Sequence, residues 1–175
     1  MERECMEFDV VIVGAGPAGL SAACRLAQLN QEHESEGEAL SICVVEKGSE
    51  VGAHILSGAV FETRALDELF PDWPCMDAPL SASVQHDALL YLTNKFNHIS
   101  VPHFLTPNPL HNDDSSYVIS LANLCRWLAQ QAESLGVEIY PGFAASSINY
   151  DESGTVTGIN TSDMGVLRQW TSRQS

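Results

Sequence analysis

Residues 8–29, FDVVIVGAGPAGLSAACRLAQL, constrain the fold more than any other stretch of the chain. Val10 to Val13 is an unbroken apolar, β-branched run, the pattern of a parallel strand covered on both faces. It stops at Gly14. Pro17 then occupies a first helical position, with φ preset and no amide hydrogen to waste. Ala18, Leu20, Ala22, Ala23 and Leu26 follow as a helix whose small side chains allow close approach to a sheet. A second apolar run, Ser41–Glu46 (SICVVE), reads as another buried strand, ending in an acid. Strand, glycine turn, helix and strand in this order predict an α/β, Rossmann-like domain built on a parallel sheet.

Gly14-Ala15-Gly16-Pro17-Ala18-Gly19 is a GxGxxG, a weak signal alone and a strong one between a strand and a helix. Gly14 permits the tight turn, Gly16 lets backbone approach a diphosphate, and Gly19 lets the helix pack on the strand. The helix N-terminus offers free amide hydrogens and the positive end of its dipole to an anion. Glu46 completes the fingerprint as the acid placed to accept from ribose hydroxyls. The glutamate-rich loop at residues 30–39 lengthens the gap to Glu46 without moving the strand end. The bland alternative is a glycine-rich turn with no ligand. These residues alone leave NAD and FAD both open; the position of the motif near the N-terminus and the loop after Glu46 favour FAD.

That loop contains VGAHILSGAV at residues 51–60, too small and polar for a core strand and too apolar for an ordinary surface loop. Residues 47–61 read as loop into short helix, and ETRALDELFPDW at 62–73 as a helix stopped by Pro71, with Trp73 anchoring its end. Prolines interrupt residues 74–118, where ALLYLTNKF and NHISVPHF suggest strands of a smaller antiparallel sheet. Leu121, Leu124, Leu128, Ala132 and Leu135 recur at helical spacing over 121–136, with Gly136 as the stop and Trp127 in a packing role. Three short strands follow, with a hairpin turn at Asp151–Gly154 and Asp163 capping a later turn.

With 8 basic and 23 acidic residues the net charge is −15, which excludes a concentrated basic face for nucleic acid. The five cysteines form no CxxC pair and read as reduced thiols, three of them in apolar settings. His86, His98, His103 and His111 lack metal-ligand spacing and read as surface residues, while His54 is either a flavin neighbour or a loop histidine bonded to backbone. No apolar run approaches the about 20 residues that span a bilayer.

MEFDVVIVGAGPAGLSAACRLAQL, CVVEKGSEVGAHILSGAVFETRALDELFPDWP and LCRWLAQQAESLGVEIYPGFAA together resemble the electron transfer flavoprotein–ubiquinone oxidoreductase family. The similarity runs from about Met1 to Gly165, and GAHILSGAV followed by LFPDW is its most specific part. The resemblance implies a glutathione-reductase-like FAD-binding domain at 1–175, incomplete, with about 75–118 a β-rich insertion toward a second domain. It implies electron flow from reduced electron transfer flavoprotein through FAD and a [4Fe–4S] cluster to ubiquinone. Peripheral contact with the bacterial cytoplasmic membrane is implied too, on its cytoplasmic face, or with the mitochondrial inner membrane in a eukaryote. By motif match, Gly14, Gly16, Ala18 and Gly19 hold the FAD diphosphate, Glu46 the adenosine ribose, and Lys47 neighbours the adenine end. Ser57 and Gly58 lie on the flavin side, and Ala145 contacts adenine through backbone. No acid, base or nucleophile is implied, and the cluster ligands of the family lie outside this chain. VLRQWTSRQS, after Gly165, departs from the family pattern and suggests a truncated or frame-altered product. The alternatives are a geranylgeranyl-reductase-type flavoprotein and a non-catalytic fragment.

Overall fold

The computed structural model describes residues 5–33, 37, 39–56, 58–107, 110, 112 and 115–162. Ser57, His111 and Asp163, and the ending after Gly165, lie outside the described residues. In chain order the elements are β1 (Val10–Val13), α1 (Pro17–Glu32), β2 (Ile42–Glu46), β3 (Gly58–Glu62), α2 (Arg64–Leu69), β4 (Ala82–Ser83), β5 (Leu89–Leu92), β6 (His98–Val101), β7 (Ser116–Ser120), α3 (Leu121–Ser134), β8 (Glu138–Pro141), β9 (Ala145–Tyr150) and β10 (Val156–Thr161). Two compact units result, one of Met1–His54 with Leu128–Ser175 and one of Ile55–Trp127.

The first unit is the α/β one. Its sheet has the order β1-β2-β8, both pairs parallel, with Val13 beside Val45 and Glu46 beside Pro141. The central strand β2 is buried from Ile42 to Val45, as an apolar run flanked by two strands should be. Helix α1 turns Leu20, Ala23, Cys24 and Ala27 inward, and Leu128, Ala132 and Val137 complete the core. The helix runs to Glu32, into the segment expected as loop. Asn30 explains the extension: its side chain exchanges two hydrogen bonds with the backbone of Leu40, at 2.9 and 3.0 Å, pinning both ends of the connection. Asp9 and Ser41 fasten the strand starts likewise, the Asp9 carboxylate accepting from the Ser41 amide and hydroxyl.

One expectation fails for β1, which is not covered on both faces. Ile12 faces α1, whereas Val11 and Val13 are 38% and 58% exposed. Strand β1 is an edge of this sheet, and the face that carries those two valines is only partly covered by the described residues. The antiparallel β9–β10 hairpin forms as expected. Asp151 Oδ1 closes its turn by accepting from the amides of Ser153 and Thr155, and Gly154 takes φ +84°.

In the second unit the antiparallel sheet β3-β7-β4 and the β5–β6 hairpin carry the framework. The loop-into-helix reading of 47–61 is overturned at Gly58, where β3 begins. GAVFE is half exposed in alternation and its first two residues are small, so it lacks the apolar weight that marks a strand in sequence. With Glu62 in the strand, the following helix α2 is shorter than read, Arg64–Leu69, ending before Pro71. Trp73 does hold its end: Nε1 donates to Asp67 Oδ1 at 2.7 Å, and Asp67 Oδ2 accepts from buried Thr63 at 2.9 Å. Trp127 packs edge-on against Phe70 at 5.5 Å and donates to the Met76 carbonyl.

Cys24, Cys43 and Cys125 are buried, whereas Cys5 and Cys75 are exposed. Burial pushes the Cys24 thiol up to about 11 and raises that of Cys43 as well, so neither supplies thiolate at neutral pH. An aromatic disulfide reagent at pH 8 is therefore expected to modify two of the five cysteines rapidly and the other three only after denaturant is added. Rapid modification of more than two thiols in the native protein would contradict this core.

Candidate functional site

The carboxyl ends of β1, β2 and β8 lie side by side, the edge at which open parallel sheets bind ligands. After Val13 the chain turns at Gly14, whose φ of +102° favours glycine and whose amide donates to the Val45 carbonyl at 2.8 Å. Gly16 caps α1 with extended backbone and no side-chain bond, and the first helical turn holds no acid. Pro17 has no amide hydrogen, and the first helical bond runs from Leu20 to Gly16. The Ala18 and Gly19 amides precede that bond and have no intrahelical acceptor. Their hydrogens and the dipole end form an anion-receptive corner.

The three fingerprint glycines separate by what a side chain would meet. A Cβ on Gly19 would sit 2.1 Å from the Gly14 carbonyl oxygen, so this glycine is demanded by helix–turn packing. A Cβ on Gly16 would meet nothing within 4 Å, although its φ of −84° suits any residue. Nothing in the protein itself requires glycine there, and the open volume fits a diphosphate laid against the backbone.

Glu46 ends β2 with its side chain folded into this corner. One carboxylate oxygen accepts from the Ala15 amide at 2.9 Å and the other from the Gly48 amide at 2.7 Å. His54 Nδ1 lies 3.9 Å from the second oxygen, so the neighbour of His54 is a carboxylate. Gly48 in turn accepts from the Gly142 amide at 2.6 Å, tying the loop after β2 to the turn after β8. Sequence reasoning found Glu46 but missed Ala15, Gly48 and Gly142, which act through main-chain atoms and carry no side-chain signal.

The structure thus brings Gly14, Gly16, Ala18, Gly19 and Glu46 to one edge, with Lys47 exposed beside them. Ala145 opens β9 in the same unit, exposed and paired with Thr161. Gly58 belongs to the other unit, where it pairs with Ser120; a Cβ there would lie 2.8 Å from the Ile119 carbonyl oxygen. Strand packing accounts for that glycine without a ligand. Among the described residues, no group of three or more His, Cys, Asp or Glu could hold a metal ion, and no helix is long and apolar enough to cross a membrane.

A family profile described as NAD(P)-binding Rossmann-like domain matches residues 12–71. Over 97% of its length the chain is 63% identical to the electron transfer flavoprotein-ubiquinone oxidoreductase of Pseudomonas aeruginosa. Over 96% it is 49% identical to the mitochondrial protein of that name from Bos taurus. The chain covers 30% and 26% of those two relatives, under a third of their length. Among solved structures, a geranylgeranyl bacteriochlorophyll reductase-like protein of Thermoplasma acidophilum superposes with TM-score 0.63 at 21% identity, covering 88% of this chain and 34% of that one. Aklavinone-11 hydroxylase, solved with FAD and aklavinone, gives TM-score 0.57 at 19% identity, covering 91% and 30%. These two likenesses establish the α/β Rossmann-like fold.

The glycine geometry makes an asymmetric prediction. Gly19→Ala is expected to destabilise the protein by about 1–3 kcal/mol, as overpacking against backbone does. Gly16→Ala is expected to stay within about 1 kcal/mol of the parent protein. Denaturant unfolding of both variants checks this, and equal losses would refute the separation.

Proposed function

We propose that this chain carries the adenosine-diphosphate end of an FAD site in an electron transfer flavoprotein–ubiquinone oxidoreductase. The observation that carries the reading is the pairing of an open Gly16 at an uncapped helix N-terminus with the Glu46 carboxylate beside it. The 63% identity to the Pseudomonas aeruginosa protein, named as an electron transfer flavoprotein-ubiquinone oxidoreductase, supports reading the site as one for FAD and the reaction as electron transfer. The residues present fit the group: the backbone from Gly14 to Gly19 offers donors and space for a diphosphate. The carboxylate of Glu46 keeps lone pairs beyond its two amide bonds with which to accept from ribose hydroxyls.

In this reading Gly14, Gly16, Ala18 and Gly19 hold the diphosphate, Glu46 the adenosine ribose, and Lys47 lies toward the adenine. Ala145 meets the adenine through its backbone, and Ser57 and Gly58 serve the flavin side. Bound FAD supplies an electron carrier able to take electrons from one protein and release them to another acceptor. The chain's own part is to bind and orient, so no proton-transferring residue is invoked.

The partners on this reading are reduced electron transfer flavoprotein as donor and ubiquinone as acceptor, with peripheral membrane contact because the quinone resides in the bilayer. A [4Fe–4S] cluster belongs to the same reading, its ligands lying outside this chain. The geranylgeranyl-reductase alternative rests on a likeness of fold alone.

Two variants test the site. Gly16→Val is expected to leave the protein folded, since the volume is open, and to abolish retention of FAD; stoichiometric yellow protein after gel filtration would overturn the placement. Glu46→Ala is expected to weaken FAD binding by about 1–3 kcal/mol through the loss of a charge-assisted hydrogen bond. An unchanged dissociation constant, measured by flavin fluorescence, would remove Glu46 from the site.

A further inference from the structure

The loop after β2 returns to the strand it leaves. Gly52 turns with φ +83° and the Ala53 amide donates to the Glu50 carbonyl at 3.2 Å, so the chain folds back and carries His54 to the end of β2. Its Nδ1 stands 3.9 Å from the Glu46 oxygen that accepts from the Gly48 amide. Gly48 flanks both side chains: a Cβ there would come within 3.1 Å of that oxygen and 3.4 Å of His54 Nδ1. The loop is thus bare of a side chain where the imidazole meets the carboxylate.

This contact meets an electrostatic demand. The chain carries a net charge of −15, and the anion-receptive corner already holds the Glu46 carboxylate. The donors that Ala15 and Gly48 supply are neutral amides, which orient the carboxylate and leave its charge in place. An imidazolium at His54 offsets that charge where a second anion must approach. Imidazole changes charge between about pH 5 and 8. The His54 side chain is 59% exposed and that of Glu46 only 14%, so the histidine exchanges its proton with solvent while the acid stays covered. Lys47 and Glu50 are the other charged groups of the loop, both exposed, and the turns after β1 and β8 bring Ala15 and Gly142, which do not titrate. Tyr140 on β8 keeps its proton over this range, because its bond to the Glu138 carboxylate pushes the phenol up to about 12.

We propose that His54 is a positioning residue of the nucleotide site: protonated, it pairs with Glu46, steadies the carboxylate that faces the ribose and offsets its charge against the diphosphate. The inference rests on the FAD reading above and adds a proton to it. Affinity is highest where His54 is protonated and falls as the pH rises. Proton and nucleotide each strengthen the binding of the other, so the nucleotide draws a proton from solvent as it binds near neutral pH.

Adenosine diphosphate ribose is the probe, since its diphosphate is esterified at both ends and does not titrate between pH 6 and 8. Calorimetric titration of the flavin-free full chain is expected to show about fivefold weaker binding at pH 8 than at pH 6, the size of one exposed ion pair. His54→Gln is expected to bind at both values as the parent does at pH 8. At pH 7, in buffers of unequal ionisation enthalpy, the parent is expected to take up a fraction of a proton per probe bound and His54→Gln none. A merely structural histidine would not produce that difference. Parent affinity that is level across the range, or a slope and proton uptake that survive in His54→Gln, overturns the assignment and leaves the FAD reading intact. Parent protein that ignores the probe at every pH overturns both.

Discussion

The carboxylate of Glu46 is the tie on which the carboxyl edge of the parallel sheet depends. Its two oxygens accept from amides on different loops, Ala15 in the turn after β1 and Gly48 in the loop after β2. Through Gly48 the tie reaches Gly142 in the turn after β8. Three loops that leave neighbouring parallel strands are thus fixed relative to one another by one side chain and one carbonyl. A charge that accepts two backbone hydrogen bonds is pre-oriented, and it spends no side-chain entropy when a ligand arrives. The acid therefore has two duties: it shapes the corner, and it keeps lone pairs directed at whatever occupies it.

Around that tie the first unit distributes its burial unevenly. Strand β2 is sealed, while β1 is sealed only on the side of α1. The apolar face at Val11 and Val13, partly open among the described residues, stands next to the Gly14 turn and so adjoins the anion-receptive corner.

Much of this was legible in the residues. The β1–α1–β2 unit announces itself through an apolar run, a glycine turn, a proline at a first helical position and a terminal acid, signals of short range that need no knowledge of partners. The helix at α3 and the hairpin at Asp151 were readable for the same reason, periodicity in one case and turn chemistry in the other. What escaped was long-range. Gly58–Glu62 is a strand because β7 lies beside it, and a stretch of small residues gives no sign of a partner that joins it more than fifty positions later. The exposure of Val11 and Val13 was invisible because an apolar run looks alike whether or not its second face is covered. Ala15, Gly48 and Gly142 were unreadable because their contributions come from amide and carbonyl groups that every residue possesses.

The contrast between Gly16 and Gly19 carries a consequence for reading other chains of this kind. One of these glycines is answerable to the polypeptide, since any side chain at position 19 would collide with its own backbone. The other is answerable only to a visitor. A chain of this fold with no nucleotide to hold would still need glycine at position 19, whereas its own packing would not require one at position 16. The two positions thus separate a demand made by the fold from one that only a ligand could make.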